Sequence, residues 1–492
     1  MTTVRARDRF WQASGLQRWT SPAPEASDPR AIGASLVFSA WQRAALLFGF
    51  ALLVAFRLPQ AWIHGRFLDE EGSIFFAFAW HRPAGEALFR AFGGYLNLAA
   101  NGTTLADVHL VRAGILPLEF APYLTMLTAL LFQLLPAVLL LTGRGAWLAG
   151  RWAILAGLLV IAMAPRTEEV FLDVLHIQFH LALCAALILA LDTPRSRAAR
   201  AGYGSILFLT PLCGPAAIIL LPFFAVRGCI DRDRARLMQT VALAAGTALQ
   251  MLLFFAPSPV RGHFLDPGPL AAMMFVRFAA MPFSSAALAN KLGSAIYASY
   301  AAGGIGWWCA AGGALIYFVA LIALAWRDRR DPAIWLIASG LALGILSFGG
   351  GMITTAPREW FSVGAGERYD FLPLTLLTLG LIALAMRPEG RHRLACAILC
   401  LLTLISGAIS YPKPVRELRS GPAWTDEVAA WRGDHDHPLA GWPRSWSVDL
   451  SDRDLPCAPA LPGGGASSEP SYCEGAWLAR VSHQIAVDKA KH

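Results

Sequence analysis

The chain has 492 residues, of which 56% are hydrophobic and only 15% charged; a soluble globular chain carries about a quarter charged residues, so the solvent for most of this one is a bilayer. Its formal net charge is +8, but the basic residues flank apolar runs at intervals instead of gathering on one face, which argues against a nucleic-acid partner and reads as a topology signal. A soluble protein of this length splits into several domains, whereas one continuous helical bundle can take up most of the chain here.

Residues 1–43 are polar, carry Arg5, Arg7, Arg9, Arg18 and Arg30, and have no short apolar core ending in a small-residue cleavage site, so they read as a cytoplasmic segment and not as a removable signal peptide. Segments apolar enough to cross the hydrocarbon follow near 44–62, 118–141, 152–164, 179–191, 237–256, 303–326, 333–350, 368–386 and 394–411. Between Tyr203 and Val226 an apolar stretch is broken by Pro211, Cys213, Gly214 and Pro215. It is too long for one straight helix and too short for two full spans, so a hairpin of two half-length segments fits best. Broken helices at membrane depth are tolerated where protein or a watery cavity lines them. The expectation is therefore an all-α polytopic membrane protein with about eleven segments, spanning 44–411 and including a long first outer loop at 64–117.

Arginines mark one set of connections: Arg144 and Arg151; Arg195, Arg197 and Arg200; Arg227, Arg232, Arg234 and Arg236; Arg327, Arg329 and Arg330; Arg387, Arg391 and Arg393. These alternate with arginine-poor connections, as the positive-inside rule requires, and share the N-terminal side. With the hairpin counted as two, the number of segments is odd, and the tail 412–492 emerges outside. Six of the eight cysteines lie in or beside apolar segments, whereas Cys457 and Cys473 share a polar, Gly- and Pro-rich tail. Such a pair can staple a small periplasmic domain, which agrees with the odd count.

The outer connections hold the chemistry-bearing residues. The first opens with Phe67-Leu68-Asp69-Glu70-Glu71-Gly72 and continues into an apolar run to Trp80. Three carboxylates at an apolar boundary are costly; they form either a solvated loop start or a site in which one acts as general base or metal ligand. The second outer connection carries Glu168, Glu169, Asp173, His176, Gln178 and His180. His176 and His180 have the i, i+4 spacing of a helical metal pair but lack an HExxH context. Hydrogen bonds to a lipid phosphate or to neighbouring helices suit them better. The third holds Arg358 and the run Gly366-Glu367-Arg368-Tyr369-Asp370, where a guanidinium either forks onto an anionic phosphate or pairs with Glu367 or Asp370. Arg277 and Lys291, on an amphipathic outer stretch, are weaker candidates of the same type.

An acidic pair after the first span, a long first loop, a second acidic outer loop, a broken mid-chain hairpin and a late outer arginine together resemble the GT-C superfamily. These are membrane glycosyltransferases that use polyprenyl-phosphate-linked sugars. The chain is similar to uncharacterised bacterial members with an acidic-acidic-Gly motif followed by Gly-Tyr-Leu, here Asp69 to Gly72 and Gly94-Tyr95-Leu96. The resemblance covers most of the membrane domain, on short motifs. It implies an inverting transfer at the periplasmic face of a bacterial inner membrane, from a polyprenyl-phosphate sugar to a saccharide, lipid or protein acceptor. Asp69 is the first choice for the base, with Glu70 and Glu71 open. Arg368 and Tyr369 would bind the donor phosphate, assisted by Gln178, His180 or Lys291. Glu168, Glu169 and Asp173 would complete a divalent metal site, magnesium or manganese, in those members that use one; no other cofactor is implied. The tail departs from larger members in being short, and would cap the cavity or select the acceptor. From another class, a transporter or flippase of a lipid-linked saccharide also wants a charged, cavity-lined bundle, but such proteins show paired broken segments, and this sequence has one.

Overall fold

A computed structural model of the protein describes residues 37–256, 266–326, 329–351, 357–388, 390–413, 421–443, 446–451 and 472–473. The described chain is helical apart from two short antiparallel hairpins, one pairing Ala91–Phe92 with Tyr95–Leu96, the other Leu439–Ala440 with Ser447–Val448.

Among the described residues, six helices are long and apolar enough to cross a membrane: Leu118–Thr142, Arg234–Phe254, Gly306–Ala325, Pro332–Gly351, Arg368–Ala385 and Arg393–Ser410. Three further apolar helices, Ala40–Ala55, Arg151–Ala162 and Ile177–Ala190, coincide with expected segments but are shorter, at 16, 12 and 14 residues. At about 1.5 Å per residue, twelve residues reach roughly 18 Å against a hydrocarbon core of about 30 Å. The structure thus supports a multi-pass helical protein with six spans of full length, fewer than the eleven segments expected. The mid-chain break is a 17-residue helix, Arg197–Cys213, then a 3-10 turn at Pro215–Leu220, then Leu221–Asp231.

Burial sorts these helices. All of Ile177–Ala190 is buried, as is nearly all of Arg368–Ala385; helices apolar on every side belong at the centre of a bundle. The outer helices instead present apolar side chains outward, such as Leu252 at 82% exposure and Ile316 at 74%, as a lipid-facing surface does.

The connections gather at two ends. At one, the Asp192 N–H donates to Arg144 O (2.8 Å), the Arg236 guanidinium to Leu191 O (2.6 Å), and Arg387 to Asp331 (2.8 Å). Gly150 packs so closely on Met386 that an added Cβ would lie 2.6 Å from its Cε. The arginine-rich connections therefore meet at a single end. At the other end lie the acidic loops and the described part of the tail. Trp424, Val428, Leu439, Val448, Leu450 and Tyr472 form one apolar cluster with Phe67, Phe76, Ala87 and Val108 of the first outer loop. The Trp424 indole donates to Leu118 O (2.9 Å). Cys473 is buried and disulfide-bonded; Cys457 lies outside the described residues, as do 1–36 of the N-terminal segment.

Candidate functional site

The acidic-acidic-Gly motif folds into a tight corner. Asp69 takes a left-handed backbone, φ 44°, which a non-glycine residue adopts only when held there. Glu71 opens a short π-helix, Glu71–Phe76. Its two carboxylate oxygens accept the backbone N–H groups of Leu68 and Val174, both at 3.2 Å, so Glu71 is buried as a stitch between the first and second acidic loops. Gly72 is required by closeness: a Cβ there would lie 2.6 Å from Phe67 Cβ and 2.8 Å from Val448 Cγ2.

The Gly-Tyr-Leu motif has an equally local cause. Gly93 and Gly94 sit at φ 61° and 92°, the two positive-φ positions of a two-residue hairpin. That turn presents Tyr95, whose hydroxyl accepts from Gln178 Nε2 (3.1 Å). Gln178 is pressed in turn against the helix break, where a Cβ on Gly214 would lie 2.0 Å from its Oε1.

From the second acidic loop, His176 Nδ1 meets Asp173 Oδ2 at 2.7 Å, and Glu169 Oε1 meets an Arg368 terminal nitrogen at 2.6 Å. Glu169 also accepts the Arg368 backbone N–H (3.4 Å). The neighbouring residues pair in parallel: Glu168 with Arg57 (3.6 Å) and Glu367 with Arg166 (2.8 Å). Gln133 splices the same loop, donating to Val170 O and accepting from Leu172 N. The loop after Pro332–Gly351 is fastened from beneath by Arg277, which is fully buried, pairs with Asp370 at 2.7 Å and donates to the carbonyls of Trp360, Glu359, Ser362 and Ala365.

These elements enclose a cavity of about 480 Å³. Its polar wall is Glu70, Tyr95, His176, Gln178, Ser347, Arg368 and Tyr369. Its apolar wall includes Phe75, Phe92, Phe179, Ile218, Ile219, Met251, Phe255 and Leu346, and Pro215 brings the helix break to it. Met251, Phe255 and Leu346 are also among the exposed apolar residues of the bundle, so the apolar wall runs out to the lipid-facing perimeter. The Tyr369 hydroxyl donates to Gly351 O (2.9 Å).

Charge is concentrated beside this cavity. Burial, and then the charges of Glu70, Glu169 and Asp173, push the Asp69 carboxyl well above the usual carboxylate range, with His176 opposing. Burial would lift Glu169 as well, but Arg368 and His176 outweigh it and hold Glu169 below its ordinary value. Burial would depress His176; its contact with Asp173, helped by Glu169, more than offsets this and raises it. Burial and the charge of Glu168 lift Glu367, against Arg166.

The sequence candidates thus divide. Glu70, Gln178, Arg368 and Tyr369 line the cavity; Asp69, Glu169 and Asp173 stand immediately around it. Glu71 and Glu168 are consumed by structural contacts. His180 is buried between Phe171 and Phe371, at ring distances of 5.4 and 4.7 Å, whereas His176 lines the cavity and pairs with Asp173, so the two histidines of the i, i+4 pair have different surroundings. Lys291 is exposed and away from the cavity lining. Among the described residues no three His, Cys, Asp or Glu side chains form a metal-binding group. Arg66, Arg57, Arg166 and Gln133 were not singled out by the sequence; their signal is an isolated polar residue inside or beside an apolar run. No family model, curated protein or solved structure matches the chain.

Proposed function

We propose that the protein is an inverting glycosyltransferase that moves a sugar from a polyprenyl-phosphate donor to an acceptor hydroxyl at the outer face of a bacterial plasma membrane. In this reading the nine apolar helices and the broken mid-chain hairpin make eleven crossings, with the arginine-rich end cytoplasmic and the acidic end periplasmic.

The observation that carries the reading is a convergence. Glu70, which follows the first apolar helix, and Arg368, from the far half of the sequence, line one cavity that is polar at one wall and apolar at the other. A ligand with an anionic head and a hydrocarbon tail matches such a space. The exposed side chains of Met251, Phe255 and Leu346 give its tail a route from the bilayer.

The chemistry follows from the groups present. Asp69 and Glu70 act as a unit, with Glu70 facing the substrate and Asp69 standing behind it. Glu70 takes the proton of the acceptor hydroxyl as its oxygen bonds to the anomeric carbon, and the bond from that carbon to the phosphate oxygen breaks with its electron pair leaving on phosphate. A positioned base of this kind contributes about 10²- to 10⁴-fold. Phosphate is a good leaving group, so fixed positive charge suffices on that side. Glu169 holds the Arg368 guanidinium in place while a fifth of that side chain stays exposed, and the fork of nitrogens suits phosphate oxygens.

The test is transfer of a radiolabelled sugar from a polyprenyl-phosphate donor by the purified protein in lipid nanodiscs. Wild type should release polyprenyl phosphate in step with glycosylated acceptor, and Glu70→Gln should lower kcat at least 100-fold. Movement of intact donor across the bilayer without cleavage would instead identify a flippase.

A further inference from the structure

Gln178 is only 7% exposed, yet it lines the cavity. Its carboxamide is held at three points. Nε2 donates to the Tyr95 hydroxyl (3.1 Å) and to Leu175 O (3.4 Å). Oε1 lies against Gly214, where an added Cβ would come within 2.0 Å of it. The Leu175 carbonyl can only accept, so it fixes which end of the carboxamide is nitrogen. That nitrogen is committed to protein, whereas Oε1 takes no hydrogen bond from the described residues. A buried amide oxygen without a donor is costly, and here it stands at a cavity wall.

Tyr95 is placed independently of Gln178. On one side of it Gly94 O accepts the Ala256 N–H (3.0 Å), and on the other Leu96 O accepts from Gln250 Nε2 (3.4 Å), so the hairpin is tied at both points to the end of the Arg234–Phe254 helix. Beside these polar groups the cavity wall carries Phe75, Phe92 and Phe179, the first two packed edge to face at 5.7 Å. Ring faces carry partial negative charge and suit the C–H side of a pyranose, and a few fixed polar groups among aromatic ones set the orientation of a bound ligand.

We infer that Gln178 is a specificity residue that accepts a hydrogen bond from a hydroxyl of the transferred sugar through Oε1, with Tyr95 and Gly214 positioning its carboxamide. A phosphate is the wrong ligand for this atom, since it offers an acceptor to anionic oxygens. The two recognitions are therefore separate: Arg368 holds the phosphate, and Gln178 reads the sugar instead of assisting Arg368 as its sequence position suggested. Gly214 serves the same end, because any side chain there displaces the carboxamide. This inference rests on the polyprenyl-phosphate-sugar reading for the identity of the ligand.

The experiment measures Kd for farnesyl phosphate and for its glucose, mannose and galactose esters on the purified full-length protein in detergent. Wild type should bind at least one ester more tightly than bare farnesyl phosphate. Gln178→Leu should lower that preference by about three- to tenfold, the scale of one neutral hydrogen bond, and leave Kd for farnesyl phosphate unchanged. Gly214→Ala and Tyr95→Phe should shift the preference in the same direction, and carry the comparison if Gln178→Leu does not fold. Arg368→Met should weaken all four lipids together. Equal weakening of ester and bare phosphate in the Gln178 and Gly214 variants would mean that Gln178 only braces the helix break, which overturns the inference and leaves the phosphate site standing. No ester preference in wild type overturns it as well, and a wild type that binds none of the four removes the donor reading with it. A preference lost in the variants of a protein that transfers no sugar supports the inference and removes the glycosyltransferase reading.

Discussion

At the scale of single residues, three adjacent acids of the first outer loop have three fates. Glu70 reaches the cavity, Asp69 is turned aside by a left-handed backbone whose N–H donates to Trp442 O (2.7 Å), and Glu71 spends both oxygens on backbone N–H groups. Their substitutions should separate accordingly. Glu71→Gln keeps the shape, but its amide NH2 cannot accept one of the two backbone N–H groups, so it should lower the thermal unfolding midpoint in detergent by an amount equivalent to roughly 1–3 kcal/mol and should lower kcat less than Glu70→Gln does. A second acid makes a prediction in pH. Asp107 is fully buried, neither oxygen has a partner among the described residues, and burial pushes its carboxyl up to about 8. The unfolded chain releases this proton near pH 4, whereas the folded chain keeps it until about 8. Folded stability from this residue should therefore fall as pH rises through that window and level off above it. Asp107→Asn should flatten the slope and gain on the order of a few kcal/mol at pH 7; a slope unchanged in the variant would contradict the assignment.

At the scale of elements, what was legible in the sequence was whatever has a local cause. The nine apolar runs are helices because length and composition alone decide them. The Gly93-Gly94 hairpin and the break at Gly214-Pro215 follow from backbone freedom and a missing N–H. Helix length was less legible: Arg151–Ala162 stops at 12 residues, and its final carbonyl, Ala162 O, is taken by the Arg57 guanidinium at 2.5 Å, a partner from the turn after Ala40–Ala55. Arg277 is the larger omission, read as an outer cation when it is the fastening beneath the loop that ends at Arg368. Nothing in its immediate sequence shows that, because its partners lie some eighty to ninety positions later. Arg277→Met strands the buried Asp370 carboxylate and should cost roughly 3–5 kcal/mol. Protease sensitivity should appear in the loop after Pro357, and Arg277→Met combined with Asp370→Leu should recover part of the loss. A loop no more sensitive than wild type would show that the fastening is dispensable.

At the scale of the whole molecule, the protein is a bundle with arginines bracing one end and carboxylates shaping a cavity at the other. The alternation of arginine-rich and acidic connections carried that division in the sequence. The merger of the tail with the first loop was not readable, because apolar side chains such as Trp424 and Trp442 do not announce their partners. The cavity's apolar wall reaches the lipid-facing perimeter at Met251, Phe255 and Leu346. Placing a bulky label on Leu346→Cys should therefore slow use of a long-chain polyprenyl-phosphate donor at least tenfold while sparing a short-chain, water-soluble analogue; equal slowing of both would locate donor entry elsewhere.

The most direct measurement is a cryo-electron microscopy structure of the protein in nanodiscs with a non-transferable polyprenyl-phosphate sugar. The phosphate should lie within hydrogen-bond distance of the Arg368 guanidinium, with the sugar's anomeric carbon toward Glu70 and the hydrocarbon leaving past Leu346 and Phe255. Donor density on another surface, or a phosphate at the arginine-rich end, would contradict the account.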